Sequence, residues 1–302
     1  MNTNLKILFF IMSYYPSQRR SSYPARRRRR SSFSGLKIRL AIAGVIILFS
    51  AISYMTSSTV NPVTGQNQRV AGMTTDQEIK VGRSAAYSMV EQHGGLSRDS
   101  RARKHVEMVG KRLENTLYHR LQKQGITNPY PFDFHLLGDP RVINAFALPG
   151  GQVFITEALY TKMTHEGQLA GVLGHEIGHV IERHGAERMA HGKLLQRIAG
   201  AAGVAGGDIS TAQMASTALN VVSMGYGRKA ELESDRWGVE LMVWAGYDPE
   251  HMLAVMDILE EANNGGAPPE FMSSHPKPAN RKEYIREVIS EQFPNGLPPG
   301  LR

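Results

Sequence analysis

The amino-acid sequence predicts an α+β fold, in which a mainly helical domain with a small β-sheet follows one N-terminal transmembrane helix. Three observations predict it. Residues 40–55 are an uncharged, largely apolar run that directly follows an arginine-rich arm. Residues beyond 75 have mostly helical periodicity. Between residues 131 and 156, three short stretches change to the pattern of strands.

The N-terminal region is predicted to be a basic cytoplasmic arm (1–39), a transmembrane signal anchor (40–55) and a linker (56–75), before a folded domain at 76–302. Arginines directly before the apolar run place the N-terminus in the cytoplasm and the domain outside, on the periplasmic side of a bacterial envelope. The mitochondrial inner membrane is the less favoured location. A cleaved signal peptide, an organellar transit peptide, a buried core helix and a true start at Met12 are the open alternatives.

Composition limits the function classes. The chain of 302 residues has no cysteine, which excludes disulfides, thiolate metal sites and a cysteine nucleophile. Any metal is therefore held by His, Asp or Glu. Residues 1–39 carry ten of the 35 Lys and Arg and none of the 27 acidic residues, so the remainder is close to neutral. This distribution argues against nucleic-acid binding by the domain.

The elements follow from local signals. Thr75-Asp76-Gln77-Glu78 starts the first helix of the domain, and Asp248-Pro249-Glu250 starts a later one with proline in its first turn. Pro149-Gly150-Gly151 predicts a tight turn, and hence a hairpin, between two strands. The predicted helices are 75–92, 98–124, 157–163, 166–184, a Gly/Ala-rich stretch to 224, 228–244, one from 248, and 281–292. The predicted strands are 131–137, 143–148 and 152–156, and 263–269 is a predicted loop.

Residues 172–184, VLGHEIGHVIERH, contain the pattern that carries chemistry. On a helix, His175 and His179 are about 40° apart around the axis, so both imidazoles can reach one ion. Glu176 lies beside that face, where it can hold a water molecule, as in H-E-x-x-H sites. The flanking residues are apolar, so the three polar side chains would be buried, which is costly without a metal. Two coincident surface histidines are the less favoured interpretation.

A third ligand is predicted on the acidic helix 229–240. Glu231 and Asp235 are four residues apart and share a face, so we assign Glu231 to the metal and Asp235 to orienting a ligating imidazole. Glu233 should face solvent. The alternative is an acidic helix that forms salt bridges with Arg228 and Arg236.

Two other histidines are set aside as ligands. His184 follows His175 by nine residues, which is about 180° around a continuous helix. We therefore expect His184 and His191 to be solvated or helix-capping. Zinc suits the remaining ligand set of imidazoles and a carboxylate.

Five motifs in order, spanning about residues 61–290, resemble the gluzincin zinc metallopeptidases. The likeness is to the group of the CaaX prenyl protease, HtpX and bacterial envelope quality-control peptidases, in a single-anchor form. It implies a zincin-like domain, one Zn²⁺ per chain on His175, His179 and Glu231, Glu176 as general base, and His275 near the metal. The motifs are NPVTG (61–65), NAFALPGGQVFIT (144–156), GHEIGHVIERH (174–184), ELESDRWG (231–238) and SSHPKPANR (273–281).

The predicted function is hydrolysis of peptide bonds in misfolded or membrane-associated envelope proteins, with water activated by Glu176. His275 is either an oxyanion donor or a fourth zinc ligand that keeps the enzyme latent, and Arg281 is expected to brace its loop. The alternatives are a catalytically latent chaperone or adaptor on the same fold, and an RNA-binding protein that uses the arginine run. Oligomeric state is not predicted.

The resemblance also implies a substrate-binding strand. Its edge would pair with an extended polypeptide through main-chain hydrogen bonds, which favours broad specificity. The alternative is that the strand is only scaffold. The residues predicted to bind substrate are Asn144, Ala145, Phe146, Ala147 and Leu148.

Overall fold

The computed structural model describes residues 32–70, 72–206, 225–264, 271, 275 and 280–302. The predicted fold class is confirmed: the chain is mainly helical with small β-sheets. In the described ranges the helices are α1 Ser32–Thr56, α2 Thr75–Gln92, α3 Ser100–Lys123, α4 Glu157–Tyr160, α5 Glu166–Ile181, α6 His184–Gly206, α7 Arg228–Trp244, α8 Glu250–Asn264 and α9 Arg281–Gln292. The strands are β1 Thr59–Val60, β2 Asn67–Gln68, β3 Asp133–Leu137, β4 Ala145–Leu148 and β5 Gln152–Thr156.

Helix α1 contains the predicted apolar segment. Within the described residues, Gly35–Thr56 is the one stretch that is long and apolar enough to cross a membrane, at 22 residues. Its length and composition are the basis of this assignment. The helix packs against α6. Most of the basic arm, residues 1–31, lies outside the described part of the chain.

The predicted hairpin is present at one edge of a three-stranded sheet of order β3-β5-β4. Strand β5 pairs in parallel with β3 and antiparallel with β4. Gly150 and Gly151 turn between β4 and β5 with φ values of 85° and 108°, which favour glycine. A Cβ on Gly150 would lie 2.4 Å from Ile79 Cα, so the turn also packs tightly on α2.

Helix α5 lies at the centre of the domain. Its residues from Gly167 to Ile181 are buried, and it packs against α3, α7, α8 and the sheet. Glycines let α7 approach closely: a Cβ on Gly178 would lie 2.9 Å from Ser234 Cα, and one on Gly174 would lie 3.2 Å from Gly238 Cα. This close packing sets the acidic face of α7 against the histidines of α5.

Part of the segment expected to be a linker is folded onto the domain. Asn61 Nδ2 donates to the carbonyl oxygen of Ile181 at 2.8 Å, and Gln68 Nε2 donates to that of Glu182 at 2.6 Å. Both carbonyls belong to the end of α5, where helical carbonyl groups lack partners within the helix. The β1–β2 hairpin therefore caps the helix that carries the histidine pair.

The predicted helix 166–184 is interrupted, which corrects the expectation of one continuous helix. Helix α5 ends at Ile181, Arg183 has φ 58°, and α6 begins at His184. This left-handed conformation costs energy in a residue other than glycine, and the buried Arg183 side chain is held by contacts to Glu78 and to the carbonyl oxygen of Met73. Residues 207–224 of the predicted Gly/Ala-rich helix and 265–270 of the predicted loop lie outside the described residues.

Candidate metal centre

Four side chains from three parts of the chain converge in the buried interior. His175 and His179 come from α5, Glu231 from α7 and His275 from the segment between α8 and α9. Each offers one ligand atom, and these atoms all lie within 4.8 Å of one another. The Nε2 atoms of the first two histidines are 3.0 Å apart, and His275 Nδ1 lies 3.0 Å from Glu231 Oε1. The cluster could therefore hold a metal ion.

Asp235 lies behind the first histidine. Its Oδ1 is 2.9 Å from His175 Nδ1, and because a carboxylate only accepts, that nitrogen carries the proton. The Nε2 lone pair of His175 is then directed into the cluster. Arg281 donates to Asp235 Oδ1 and Oδ2, both at 2.7 Å. Burial opposes ionisation of Asp235, but the guanidinium outweighs it and lowers the pKa of the carboxyl.

The bracing of the SSHP loop by Arg281 stays a prediction, because most of that loop lies outside the described residues. Besides contacting Asp235, Arg281 places its Nη1 3.3 Å from Glu231 Oε2. Its described contacts therefore connect the start of α9 to the acidic face of α7, a role that its position after the SSHP motif did not reveal. Burial also opposes ionisation of Glu231, but the imidazoles of His275 and His179 outweigh it and lower the pKa of that carboxyl.

Glu176 lies on α5, the helix that carries His175 and His179. Neither of its carboxylate oxygens has a hydrogen-bond partner among the described residues. Its Oε1 is 3.4 Å from His275 Nε2. Burial raises the pKa of Glu176, and the neighbouring imidazoles counter part of that rise. The side chain is thus placed beside the cluster with its lone pairs available to accept a proton.

The residues fit a bound cation. In the described part of the chain, Glu231 Oε2 and His275 Nε2 also lack a hydrogen-bond partner although they are buried. Buried polar atoms of this kind are rare in folded proteins without a ligand. The donor set of imidazole nitrogens and one carboxylate is the set that zinc accepts.

Two aromatic rings enclose the cluster, and sequence reasoning missed both. Tyr226 stacks on His179 with ring centroids 3.9 Å apart, and Phe271 stacks on His275 at 4.4 Å. Burial raises the pKa of Tyr226 to about 12. No local pattern marks these residues, because each reaches the site only through tertiary packing.

The structure corrects the solvent exposure expected for two neighbouring residues, while the helix-capping alternative for His184, the first residue of α6, is not contradicted. His184 is buried rather than solvated: its Nδ1 lies 3.0 Å from His179 Nδ1 and its Nε2 lies 3.2 Å from Glu233 Oε2. The break at Arg183 is the reason, because the expected position of His184, about 180° from His175, assumed one continuous helix. The Glu233 side chain is 24% exposed and ion-paired, not directed freely into solvent. His191 is exposed, as expected.

The predicted substrate strand is the edge strand β4, which among the described strands pairs only with β5. Ala145 and Ala147 are buried while Phe146 and Leu148 are half-buried, and Asn144 precedes the strand with its Oδ1 buried and lacking a described partner. A small cavity is lined by residues of this strand and of the metal cluster, including Ala147, Leu148, His179 and Tyr226.

The fold and the cluster together define a metallopeptidase-type domain with its H-E-x-x-H helix at the core. The chain belongs to Peptidase family M48, whose model matches residues 107–289. This confirms the metallopeptidase family expected from the motifs. The narrower likeness to the CaaX protease and HtpX branch stays a prediction.

Relatives of several kinds are similar to this chain. The beta-barrel assembly-enhancing protease of Escherichia coli (strain K12) is 32% identical over 194 residues, which are 60% of this chain and 39% of that protein. A putative protease of the same name from Vibrio cholerae is 32% identical over 248 residues, 77% of this chain and 48% of that protein. The mitochondrial metalloendopeptidase OMA1 of Schizosaccharomyces pombe is 28% identical over 257 residues, 83% of this chain and 72% of that protein. The chain thus spans less than half of the length of these bacterial relatives.

Proposed function

We propose that the chain is a zinc-dependent endopeptidase, anchored by α1, that hydrolyses peptide bonds of misfolded or membrane-associated envelope proteins. One observation carries the proposal: four ligand atoms within 4.8 Å of one another lie beside Glu176, whose carboxylate has no described hydrogen-bond partner. A metal site next to a free general base is the arrangement that metal-assisted hydrolysis needs.

The roles follow from position. His175, His179 and Glu231 hold one zinc ion, and Asp235 orients His175. When bound at these residues, zinc would supply the Lewis acidity needed to polarise the scissile carbonyl and to lower the pKa of a water molecule. Glu176 removes the proton from the attacking water and delivers it to the leaving amine.

His275 is proposed to stabilise the developing oxyanion. Its Nδ1 faces Glu231 at 3.0 Å, while its Nε2 has no described hydrogen-bond partner and lies 3.4 Å from Glu176 Oε1. Because the Glu231 carboxylate only accepts, Nε2 can donate only when the His275 imidazole carries both protons. In that form Nε2–H would be directed towards the reacting carbonyl, where preorganised donors lower the barrier.

The edge strand β4 is proposed to bind substrate. Its residues line the same small cavity as His179, and its outer edge carries no partner strand among the described residues. An extended polypeptide that pairs with this edge is held by its backbone. The substrate must therefore be unfolded locally, which suits a protease for misfolded proteins.

The membrane anchor is proposed to bring the site to its substrates. Two residues separate the end of α5 from the start of α6, and α6 packs against the candidate membrane span α1. The arginine arm before α1 favours an extracytoplasmic domain. The named relatives include bacterial and mitochondrial proteases; we favour the periplasmic side of a bacterial envelope over the mitochondrial inner membrane.

One observation favours a second candidate, a catalytically latent chaperone or adaptor. His275 Nδ1 lies 3.3 Å from His175 Nε2 as well as near Glu231, so His275 can serve as a fourth ligand. A fourth protein ligand occupies the position that catalytic zinc sites keep open. Client binding without turnover would then be the activity.

The test uses the full-length chain in detergent with casein as an unfolded substrate. We expect zinc-dependent cleavage that a chelator abolishes, and a loss of about 10²- to 10⁴-fold in Glu176→Gln with zinc content unchanged. Glu166→Gln, on the same helix but outside the cluster, is the matched control and should keep full activity. Undiminished cleavage by Glu176→Gln would refute the mechanism.

If the wild-type protein binds zinc but cleaves nothing, His275→Ala separates the two candidates. Cleavage gained by this variant would indicate that His275 keeps the enzyme latent. Continued inactivity with tight binding of unfolded casein would favour the chaperone.

A further inference from the structure

A chain of hydrogen-bonded side chains runs from the metal cluster towards the surface. His184 Nδ1 lies 3.0 Å from His179 Nδ1, and His184 Nε2 lies 3.2 Å from Glu233 Oε2. His184 is buried and Glu233 is partly exposed. We propose that His184 and Glu233 are positioning residues that hold the His179 imidazole as a metal ligand, an inference that rests on the proposed function.

The Glu233 carboxylate, at the outer end of this series of hydrogen bonds, determines the direction of each bond. The Glu233 carboxylate only accepts, so Nε2 of His184 carries the proton. In the neutral His184 imidazole, Nδ1 is then an acceptor, and the proton between the two rings belongs to Nδ1 of His179. His179 Nε2 is left with a lone pair, and it lies 3.0 Å from His175 Nε2 and 3.5 Å from Glu231 Oε1. This tautomer and direction are what a ligand at Nε2 requires.

Both ligating histidines of α5 are thus oriented by carboxylates of α7, by different routes. Asp235 contacts His175 directly at 2.9 Å, whereas Glu233 acts on His179 through the interposed His184. The Ser234 hydroxyl is a more distant neighbour of the same His184 nitrogen, at 3.4 Å. The left-handed residue that separates α5 from α6 is what brings His184 back to His179. The break between α5 and α6 therefore places His184 against the proposed metal ligand His179.

The experiment measures the zinc dissociation constant of the full-length protein by competition with a chromogenic chelator, and the melting temperature of the metal-free protein. His184→Phe keeps a ring but removes the acceptor, and we expect zinc to bind about 10- to 100-fold more weakly. Glu233→Gln should weaken binding less, because an amide oxygen still accepts from His184. His184→Gln, whose amide oxygen can accept from His179, should bind zinc more tightly than His184→Phe.

The matched control is a second histidine–glutamate pair, at the same distance but away from the cluster. His105 Nε2 lies 3.2 Å from Glu166 Oε2, and His105→Phe should leave the zinc dissociation constant unchanged. A residue with only a structural role would lower the melting temperature of the metal-free protein and leave zinc affinity intact.

The outcomes separate the two proposals. Loss of a residue that hydrogen-bonds a metal ligand typically weakens metal binding about 10- to 100-fold. If both His184→Phe and Glu233→Gln instead bind zinc within about twofold of the wild-type dissociation constant, the positioning role is overturned. Should His184→Phe fail to fold, Glu233→Leu replaces it, because this variant removes the acceptor for His184; unchanged zinc affinity in Glu233→Leu then overturns the positioning role. A wild-type chain that binds no zinc would instead overturn the proposed function on which this inference rests.

Discussion

Two buried polar clusters meet near the C-terminal end of α5, and they differ in how their polar atoms are satisfied. In the first, Arg183 donates from Nε to Glu78 Oε1 at 2.8 Å and from Nη2 to the carbonyl oxygen of Met73 at 2.7 Å. Within the described residues, no buried side-chain nitrogen or oxygen of this ion pair lacks a partner. This first cluster, Glu78 with Arg183, connects α2 to the turn after α5.

The second cluster is the candidate metal centre, and it is incomplete without a ligand. Both oxygens of Glu176, Glu231 Oε2 and His275 Nε2 have no described hydrogen-bond partner, although all are buried. Burial of charged groups is common to both clusters, so burial does not distinguish them. Unmet hydrogen-bonding capacity does, because a structural cluster satisfies its own polar atoms whereas a binding site reserves them for a ligand.

The largest expected effect is on the satisfied cluster. Burial raises the pKa of Glu78, and Arg183 counters part of that rise. Arg183 itself stays charged, so Glu78→Leu leaves a buried guanidinium without its carboxylate. We expect the free energy of unfolding of the metal-free protein to fall by about 3–5 kcal/mol, measured by urea denaturation. Glu91→Leu, an exposed position on the same helix, should change it by no more than about 0.5 kcal/mol. A Glu78→Leu protein as stable as this control would show that the ion pair is not structural.

Removing the metal should lower the free energy of unfolding by a comparable amount. This loss should depend on the residues of the second cluster and not on those of the first. At free zinc about 1,000 times its dissociation constant, binding stabilises the folded state by about 4 kcal/mol, or roughly 10 °C in melting temperature for a domain of this size. Calorimetry with zinc and with a chelator measures the difference. Glu78→Leu should keep this zinc-dependent shift, and Glu231→Gln should lose it. If zinc leaves the melting temperature of the wild-type chain unchanged, the second cluster does not bind zinc and the proposed contrast between the two clusters is wrong.

The same substitution in the second cluster should have the opposite sign. Glu176 is as buried as Glu78, but its carboxylate has no hydrogen bond to lose. Replacing an unpartnered buried polar group by an apolar one of similar size removes its desolvation cost. We expect Glu176→Leu to stabilise the metal-free protein by about 1–2 kcal/mol while abolishing cleavage. Urea denaturation that shows a loss of stability instead would contradict the contrast between the clusters.

The sequence predicted what local spacing determines. The helices, the three strands and the hairpin turn come from short-range periodicity and turn residues. The structure also brings together His175, His179 and Glu231. The two histidines are one turn apart on α5, whereas their approach to Glu231 depends on the packing of α7 against α5. Their catalytic and ligand roles stay predictions, as do those of His275 and the edge strand.

What the sequence could not predict depends on distant contacts. The burial of His184 follows from one left-handed residue, Arg183, whose side chain is held by Glu78, 105 residues away. The folding of residues 59–70 depends on hydrogen bonds such as that from Asn61 to Ile181, a separation of 120 residues. A backbone conformation that distant residues stabilise leaves no periodic pattern in the sequence around it, so it could not be predicted from that sequence.

The smallest predicted effect tests whether the number of hydrogen bonds or their geometry matters in the satisfied cluster. The Tyr130 hydroxyl is 3.5 Å from Glu78 Oε2, at the outer limit of a hydrogen bond. Tyr130→Phe should therefore cost only about 0.5 kcal/mol. Tyr247→Phe is the matched control, because that hydroxyl donates to Glu166 Oε1 at 2.7 Å and should cost about 1.5 kcal/mol or more. Equal losses of unfolding free energy in the two variants would mean that satisfying Glu78 Oε2 at all, rather than the length of the bond, stabilises this cluster.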